Sequence, residues 1–165
     1  MGIEIERKFL LKDESWRNQV SELPETLTQG YFLRAPGGPT VRVRIADDRA
    51  FLTIKGRSRG NEGVERSEFE YRLPVPDAAA MLEEFCGTRV VKKLRYFLPA
   101  DNGLCWEIDE YLEENQGLFT AEIELPAPDT PFERPLWLGE EVSGDSRYGN
   151  GALSVKPYSR WEDQK

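Results

Sequence analysis

The sequence predicts a mainly β (α+β) protein, an antiparallel sheet or closed barrel of about eight strands flanked by a few short helices. Two observations support this prediction. Apolar and polar residues alternate with a period of two along most of the chain. Stretches rich in Gly, Pro, Asn and Asp separate the alternating segments at short intervals. We expect a single domain over residues 1–165, because the chain contains no linker, repeat or low-complexity tract.

The first half of the chain contains five predicted strands. After the first of them, the segment DESWRNQVSEL predicts a short helix with Asp13 as its N-cap. The turn sequences PGGP and SRGNEG separate later strands. In chain order, the five strands are MGIEIERKFLL, TLTQGYFLRA, TVRVRIA, RAFLTIKGR and GVERSEFEYRL.

The second half begins with the clearest predicted helix, PDAAAMLEEFCG. Asp77 is its expected N-cap, and Gly87 is expected to end it. Three further strands follow as hairpins, joined by the turns ADNG and ENQG. The tail is Gly-rich and mixed, with one short helix expected in it. The three strands are RVVKKLRYFLP, LCWEIDEYL and LFTAEIELP.

The charge balance excludes several classes of function. A formal net charge of -8 argues against binding to a nucleic-acid polymer or to an acidic membrane surface, since both favour cationic proteins. No apolar run approaches the roughly 20 residues of a membrane-spanning helix. The charged start lacks the apolar core of a signal peptide, so we expect a cytoplasmic protein. The sequence is compatible with a homodimer but does not specify an oligomeric state.

Histidine is absent, which limits the available chemistry. Without it, there is no Ser-His or Cys-His nucleophile pair and no HExxH zinc site. Cys86 and Cys105 have no short metal-binding spacing, and we interpret both as reduced core residues. Any chemistry must therefore depend on carboxylates, Lys, Arg, Tyr or a metal ion held by oxygen ligands.

Seven of the predicted strands each carry two or three charges on one face and apolar residues on the other. An ordinary half-buried sheet with a solvated charged face is one interpretation of this pattern. However, the charges within a strand are mostly of one sign, which is unfavourable in a simply solvated sheet. Cations and anions on these faces also nearly balance, unlike in the chain as a whole. The cations are Lys8, Arg42, Arg44, Lys55, Arg57, Lys93 and Arg95, and the anions are Glu4, Glu6, Glu68, Glu70, Glu107, Asp109, Glu122 and Glu124.

Closing the sheet with this face inward would produce a tunnel with a charged lumen. Buried charges are costly unless they pair with each other or with a ligand. Arg and Lys bind phosphate oxygens, and clustered Glu without His or Cys suits Mg²⁺ or Mn²⁺. Because carboxylates repel a triphosphate, divalent ions are expected between them. The predicted ligand is therefore an extended polyphosphate bound together with metal.

These charged motifs resemble the CYTH superfamily, the triphosphate tunnel metalloenzymes. The similarity extends from Ile3 to about Leu153, with the motifs in family order. It implies a closed eight-stranded antiparallel β-barrel that binds a small-molecule triphosphate with Mg²⁺ or Mn²⁺. The motifs are E-x-E-x-K at Glu4, Glu6 and Lys8, R-x-R at Arg42 and Arg44, TIKG with Lys55, E-x-E at Glu68 and Glu70, K-x-R-Y from Lys93, WEIDEY, and AEIEL.

The resemblance also implies roles for individual residues. Metal would be held by Glu4, Glu6, Asp109, Glu122 and Glu124. Glu68, Glu70 and Asp109 would hold metal or orient the basic groups. One departure lies near the end, where many family members have Tyr-Ser-Asn and this chain has Tyr148-Gly149-Asn150. Phosphate binding and catalysis would involve Lys8, Arg42, Arg44, Lys55, Lys93 and Arg95, with Arg57 as an additional phosphate-binding residue.

The opening EIERKFL is more similar to small bacterial tripolyphosphatases than to the cyclase branch of the family. We therefore expect hydrolysis of inorganic triphosphate to pyrophosphate and phosphate. A class IV-type adenylate cyclase and a thiamine triphosphatase are alternatives that would use the same tunnel. A noncatalytic polyphosphate-binding module and a barrel with a solvated charged exterior are the remaining alternatives. Trp16, Trp106, Trp137 and Trp161 are expected to serve in packing.

Overall fold

The computed structural model describes residues 2–59 and 64–162. Nine strands dominate this part of the chain, eight of them at the predicted places. The turn predicted at SRGNEG lies mainly outside the described residues. The strands are β1 (Gly2–Leu11), β2 (Glu25–Tyr31), β3 (Thr40–Ala46), β4 (Arg49–Lys55), β5 (Glu65–Leu73), β6 (Val90–Pro99), β7 (Cys105–Tyr111), β8 (Phe119–Glu124) and β9 (Leu138–Glu141).

The first eight strands form a closed antiparallel barrel, as predicted. Neighbouring strands follow the order β5-β4-β3-β2-β6-β7-β8-β1-β9, and an additional pairing of β1 with β5 closes the ring. One edge of β1 pairs with β8, from Glu6 opposite Glu124 to Leu10 opposite Thr120. The other edge is divided between β5, which pairs with residues 2–5, and β9, which pairs near Phe9 and Leu11.

The helices are short, and their ends differ in part from the prediction. The first is a 3₁₀-helix (Ser15–Gln19), and its N-cap is Glu14. Asp13, the predicted N-cap, lies one residue earlier and accepts a hydrogen bond from the backbone N–H of Ser15. Helix α1 (Val75–Met81) continues into a π-helical turn (Leu82–Cys86) that ends at Gly87, as expected. Asp77 is not its N-cap, because the helix begins directly after Pro74.

The tail contains helix α2 (Asn150–Val155), which corresponds to the short helix expected there. It is preceded by a 3₁₀ turn (Ser146–Tyr148) and followed by another (Tyr158–Arg160). Within the described ranges, no helix has the length and apolar character needed to cross a bilayer.

The main hydrophobic core covers the outside of β1, β7 and β8. Trp106 is its centre, packing edge-to-face on Phe9, Phe132 and Trp137 at centroid distances of 5.6–5.8 Å. Trp16 and Trp161 are also buried, so the expectation that the four tryptophans serve in packing is confirmed. Burial of large aromatic rings on the outer face leaves the inner face of the barrel to polar groups.

One of the two cysteines differs from the prediction. Both are free thiols, as expected, and Cys86 is buried beneath the barrel wall. Cys105 is exposed, because it begins β7 at the end of a hairpin and lies outside the core.

The contact between β2 and the π-helical turn requires glycine at position 30. A Cβ atom at Gly30 would lie 2.6 Å from Leu82 Cδ2 and 2.7 Å from Cys86 Sγ. Gly30→Ala is therefore expected to lower the free energy of unfolding by about 1–3 kcal/mol, the usual range for overpacking a core. Urea denaturation followed by circular dichroism would measure the change.

The matched control is Gly144→Ala, because a Cβ atom there meets nothing within 4 Å and Gly144 lies outside the strands. We expect the control to change stability by less than about 0.5 kcal/mol. Equal stability of the two variants would contradict the close packing between β2 and the helical turn.

Candidate active site in the barrel interior

The predicted charged faces point into one cavity of about 940 Å³ that runs through the barrel. The solvated-exterior alternative is therefore wrong: Arg42, Lys93 and Glu122 are each buried, with exposed fractions of 7%, 0% and 6%. Asp109 lies behind this lining, fully buried against two of its members. The predicted residues that line the cavity are Glu4, Glu6, Lys8, Arg42, Arg44, Lys55, Arg57, Glu68, Glu70, Lys93, Arg95, Glu107, Glu122 and Glu124.

Asp109 organises the basic part of the cavity. Its Oδ2 accepts a hydrogen bond from Lys93 Nζ at 2.7 Å, and its Oδ1 accepts one from Arg95 Nε at 2.8 Å. Despite complete burial, these cations hold the pKa of Asp109 below its ordinary value. Burial lowers the pKa of Lys93 to about 7; Asp109 opposes this shift, and Arg95 and Arg44 add to it. Both carboxylate oxygens are occupied, so we infer that Asp109 orients the cations.

Arg42 and Arg44 lie side by side on β3 and have mainly neutral partners. Arg42 donates to Thr53 Oγ1 at 3.1 Å and reaches Glu70 Oε2 at 3.5 Å. Arg44 Nε donates to the amide oxygen of Gln29 at 2.9 Å. In the part of the chain that the structure describes, Arg44 forms no ion pair. Desolvation, followed by the charges of Arg42 and Arg95, lowers the pKa of Arg44 to about 10.

Glu4 and Glu68 surround Lys55 near the other end of the cavity. Lys55 Nζ lies 2.9 Å from Glu4 Oε2 and 3.4 Å from Glu68 Oε2. Arg66 approaches Glu4 from the adjacent strand, with its Nε 3.5 Å from Oε2. Although burial opposes the shift, Lys55 and Arg66 lower the pKa of Glu4. Glu4 is therefore ionised and paired.

Glu6 on β1 and Glu122 on β8 are diagonal neighbours in the strand register, and both line the cavity. Burial, Glu122 and Glu4 raise the pKa of Glu6 well above its ordinary value. Glu122 has a strongly lowered pKa, because interactions with Lys8, Glu6 and Arg95 outweigh the effect of burial. The opposite shifts favour retention of a proton by Glu6 and ionisation of Glu122.

The Glu6–Glu122 pair fits a hard divalent cation. Among residues 2–59 and 64–162, no three acidic or thiol side chains converge on a ready-made metal position. Mg²⁺ is commonly held by one or two carboxylates, with water and substrate phosphates completing the coordination. Two neighbouring carboxyl groups facing a cavity lined by cations provide such a donor set, in which a bound cation would favour loss of the proton from Glu6. Glu4 and Glu124 flank this position on the same side.

The remaining predicted residues lie nearer the mouths of the cavity. Arg57 follows the end of β4 and is exposed, and Glu124 is exposed at the end of β8. Burial, followed by Glu4, Glu68 and Glu107, raises the pKa of Glu124. Glu70 is also exposed, and it accepts a hydrogen bond from Thr53 Oγ1 at 2.8 Å. Arg57, Glu70 and Glu124 are therefore the solvent-exposed members of the predicted site.

The segment Tyr148–Asn150 closes part of the cavity wall. The backbone oxygen of Tyr148 accepts a hydrogen bond from Lys8 Nζ at 3.1 Å. The side-chain oxygen of Asn150 accepts one from Lys93 Nζ at 2.9 Å. The serine-to-glycine departure at position 149 leaves both contacts intact, because neither uses that side chain.

Sequence reasoning missed four residues of the site. Arg66 lies two residues before Glu68 on β5, so the alternation that placed Glu68 and Glu70 on the inner face also predicts Arg66 there. Gln29 and Thr53 lie directly across from Arg44 and Arg42 in the barrel register, but an uncharged side chain in a strand carries no comparable signal. Asn150 comes from the tail, where no strand period applies.

A closed antiparallel barrel whose interior concentrates paired and unpaired charges defines a class of ligand-binding tunnel proteins. The model of the CYTH domain matches residues 2–156 of the chain. The chain therefore belongs to the CYTH domain family, and the resemblance seen in the sequence is confirmed.

Two similar proteins and one solved structure support membership of the same family. The chain is 40% identical over 163 residues to an inorganic triphosphatase of Acetivibrio thermocellus, covering 99% of this chain and 100% of the relative. It is 31% identical over 154 residues to an inorganic triphosphatase of Nitrosomonas europaea, covering 92% and 97%. Among solved structures, the crystal structure of the inorganic triphosphatase NE1496 matches with a TM-score of 0.64 and 32% identity, covering 94% and 96%.

Proposed function

We propose that the protein is a divalent-metal-dependent inorganic triphosphatase that hydrolyses tripolyphosphate to pyrophosphate and phosphate. Two relatives with this name align along nearly the whole chain. The observation that carries the proposal is the group of cations inside the barrel. Arg44 has a neutral partner, and Lys8 and Lys93 have ammonium groups turned toward the same cavity. A polyanion of several phosphates would supply a negative partner for Arg44.

The basic residues would bind and orient the substrate. The guanidinium groups of Arg42 and Arg44 offer planar pairs of N–H donors to phosphate oxygens, and Lys8, Lys55 and Lys93 add point charges. In phosphoryl transfer, catalysis comes mainly from positioning and from stabilising charge on the transferred group. Asp109 contributes indirectly, because it fixes Lys93 and Arg95 from behind.

The acidic residues would hold the cofactor. We assign Glu6 and Glu122 as the main ligands of Mg²⁺ or Mn²⁺, with Glu4 and Glu124 as neighbouring ligands. When bound, such an ion supplies charge neutralisation at the phosphate oxygens and activation of water. Glu68 and Glu70 orient basic groups instead, because they lie against Lys55 and Arg42.

The direct test is phosphate release from tripolyphosphate, ATP and thiamine triphosphate, with and without Mg²⁺ or Mn²⁺, with cyclic AMP measured alongside. We expect tripolyphosphate to be the preferred substrate and the reaction to stop when the metal is chelated. Cyclic AMP as the main product from ATP would establish the cyclase alternative. Binding of polyphosphate without turnover would establish a noncatalytic module, and either result would overturn the proposal.

Metal binding is expected to release a proton and to weaken in acid. The metal-free Glu6–Glu122 pair retains a proton because the pKa of Glu6 is raised. Since the cation needs both carboxylates, its affinity should fall as the pH is lowered toward that raised pKa. Calorimetric titration of Mn²⁺ in two buffers of different ionisation enthalpy would measure the proton release directly.

Glu6→Gln is the matched variant for this experiment, because it cannot lose a proton from that position. We expect Mn²⁺ to bind it more weakly and with less proton release. Wild-type binding that releases no proton and keeps the same affinity between mildly acidic and neutral buffer would contradict the interpretation that Glu6 retains a proton.

A further inference from the structure

Asn150 makes direct contact with Lys93, a buried cation of the cavity, although it lies outside the barrel strands. Its Oδ1 accepts a hydrogen bond from Lys93 Nζ at 2.9 Å and a second one from the hydroxyl of Tyr111 at 3.3 Å. It is the first residue of helix α2, directly after Gly149. The carboxamide is therefore held from two directions, by a cation and by a fully buried phenol.

The contacts of Lys93 leave part of its ammonium group for a ligand. An ammonium group has three N–H donors in a tetrahedral arrangement. Asp109 Oδ2 takes one at 2.7 Å, and Asn150 Oδ1 takes another at 2.9 Å. The Nζ atom also lies 5.4 Å from the ring centroid of Tyr111. With two donors held by Asp109 and Asn150, one N–H remains for another acceptor, and Lys93 lines the cavity.

We propose that Asn150 is a positioning residue for Lys93, because its side-chain oxygen fixes the ammonium group so that the remaining N–H points at the bound triphosphate. This inference rests on the proposed function, since it assigns Lys93 to the substrate. Tyr148, two residues earlier, holds Lys8 in the same way through its backbone oxygen at 3.1 Å. The segment Tyr148–Asn150 thus places two lysines of the cavity.

The chemistry of the amide suits this role. Asn150 supplies an acceptor oxygen without a negative charge, so it orients Lys93 and leaves the positive charge available to phosphate. An aspartate at this position would add a negative charge facing a polyanion and would compete for the ammonium group. A serine would be too short to replace both contacts. The side chain therefore meets two requirements, reach and neutrality.

A double-mutant cycle tests whether Asn150 acts through Lys93. We expect Asn150→Ala to lower kcat for tripolyphosphate about tenfold with a smaller change in KM, because loss of orientation affects the transition state more than ground-state binding. In a Lys93→Met background, the same substitution should cost nothing further. Independent losses that multiply in the double variant would overturn the proposal.

The control variant is Ser154→Ala, which removes the hydrogen bond from Ser154 Oγ to the backbone oxygen of Gly151 in the same helix. It tests whether any disturbance of helix α2 lowers the rate. We expect wild-type kcat from this variant. A loss equal to that of Asn150→Ala would show that the helix, and not the carboxamide, is responsible.

A second readout is independent of turnover. In mildly acidic buffer, where Lys93 carries its proton, ¹⁵N NMR of lysine ammonium groups in the metal-free and substrate-free protein should show protected signals, among which that of Lys93 is assigned by its loss in Lys93→Met. We expect Asn150→Ala to shift or broaden this signal and Ser154→Ala to leave it in place. An unchanged signal in Asn150→Ala would overturn the positioning role even in an active enzyme. If tripolyphosphate is not hydrolysed by the wild type, the proposed function fails, and the NMR comparison still decides the role of Asn150.

Discussion

Arg44→Ala is expected to lower kcat/KM for tripolyphosphate by about 100-fold or more, a typical loss for a positioned charged donor. The reason is that, among residues 2–59 and 64–162, Arg44 has only the neutral amide of Gln29 as its hydrogen-bonding partner, so its charge remains available to the substrate. Much of the effect should be in KM, because the substitution weakens binding of the polyanion. Steady-state kinetics and calorimetric titration with tripolyphosphate would measure both parts.

Two further variants define the origin of this effect. Arg44→Lys keeps the charge but loses the planar pair of donors, so we expect an intermediate loss. Arg160→Ala removes an exposed arginine that does not line the cavity and should leave the kinetics unchanged. Wild-type kinetics from Arg44→Ala would count against the whole phosphate assignment.

Glu122→Gln is expected to raise the metal concentration needed for half-maximal activity by about 10- to 100-fold, the range seen when groups that tune a metal site are changed. The amide keeps the shape of the side chain but loses the charge that would hold the cation. It also loses the negative partner of Lys8 and Arg95. Activity measured across a range of Mg²⁺ and Mn²⁺ concentrations would give the change.

Glu140→Gln is the control for this experiment. Glu140 is exposed on β9, so this substitution removes the same charge at a different position. Glu122→Ala should give an even higher metal requirement, and circular dichroism would check that both variants fold. If neither variant changes the metal dependence, the assigned ligands are wrong.

The barrel could be predicted from sequence because its signal is periodic. Each strand carries charge on one side and apolar groups on the other, and closure of the ring turns this local pattern into a shared interior. Strand β9 has no such signal: it is four residues long and contains Gly139, whose Cβ position lies 2.9 Å from the backbone oxygen of Leu10. Its pairing depends on β1, which is distant in sequence.

The same distinction between periodic and non-periodic signals applies to the candidate site. The ionised residues of the cavity follow from alternation, but their partners do not. Gln29 and Asn150 become important only through their distances to Arg44 and Lys93, and these distances depend on strand register and on the path of the tail. Exposure of Cys105 likewise depends on where β7 begins, which composition does not reveal.

The divided edge of β1 has a consequence for biosynthesis. This strand carries Glu4, Glu6 and Lys8, and its partners β5, β8 and β9 all follow it in the chain and are translated later. Contacts so distant in sequence form slowly. The edge of β1 that faces β8 must therefore remain unpaired until β8 has been translated, and a product truncated before β8 would lack both the closed barrel and Glu122.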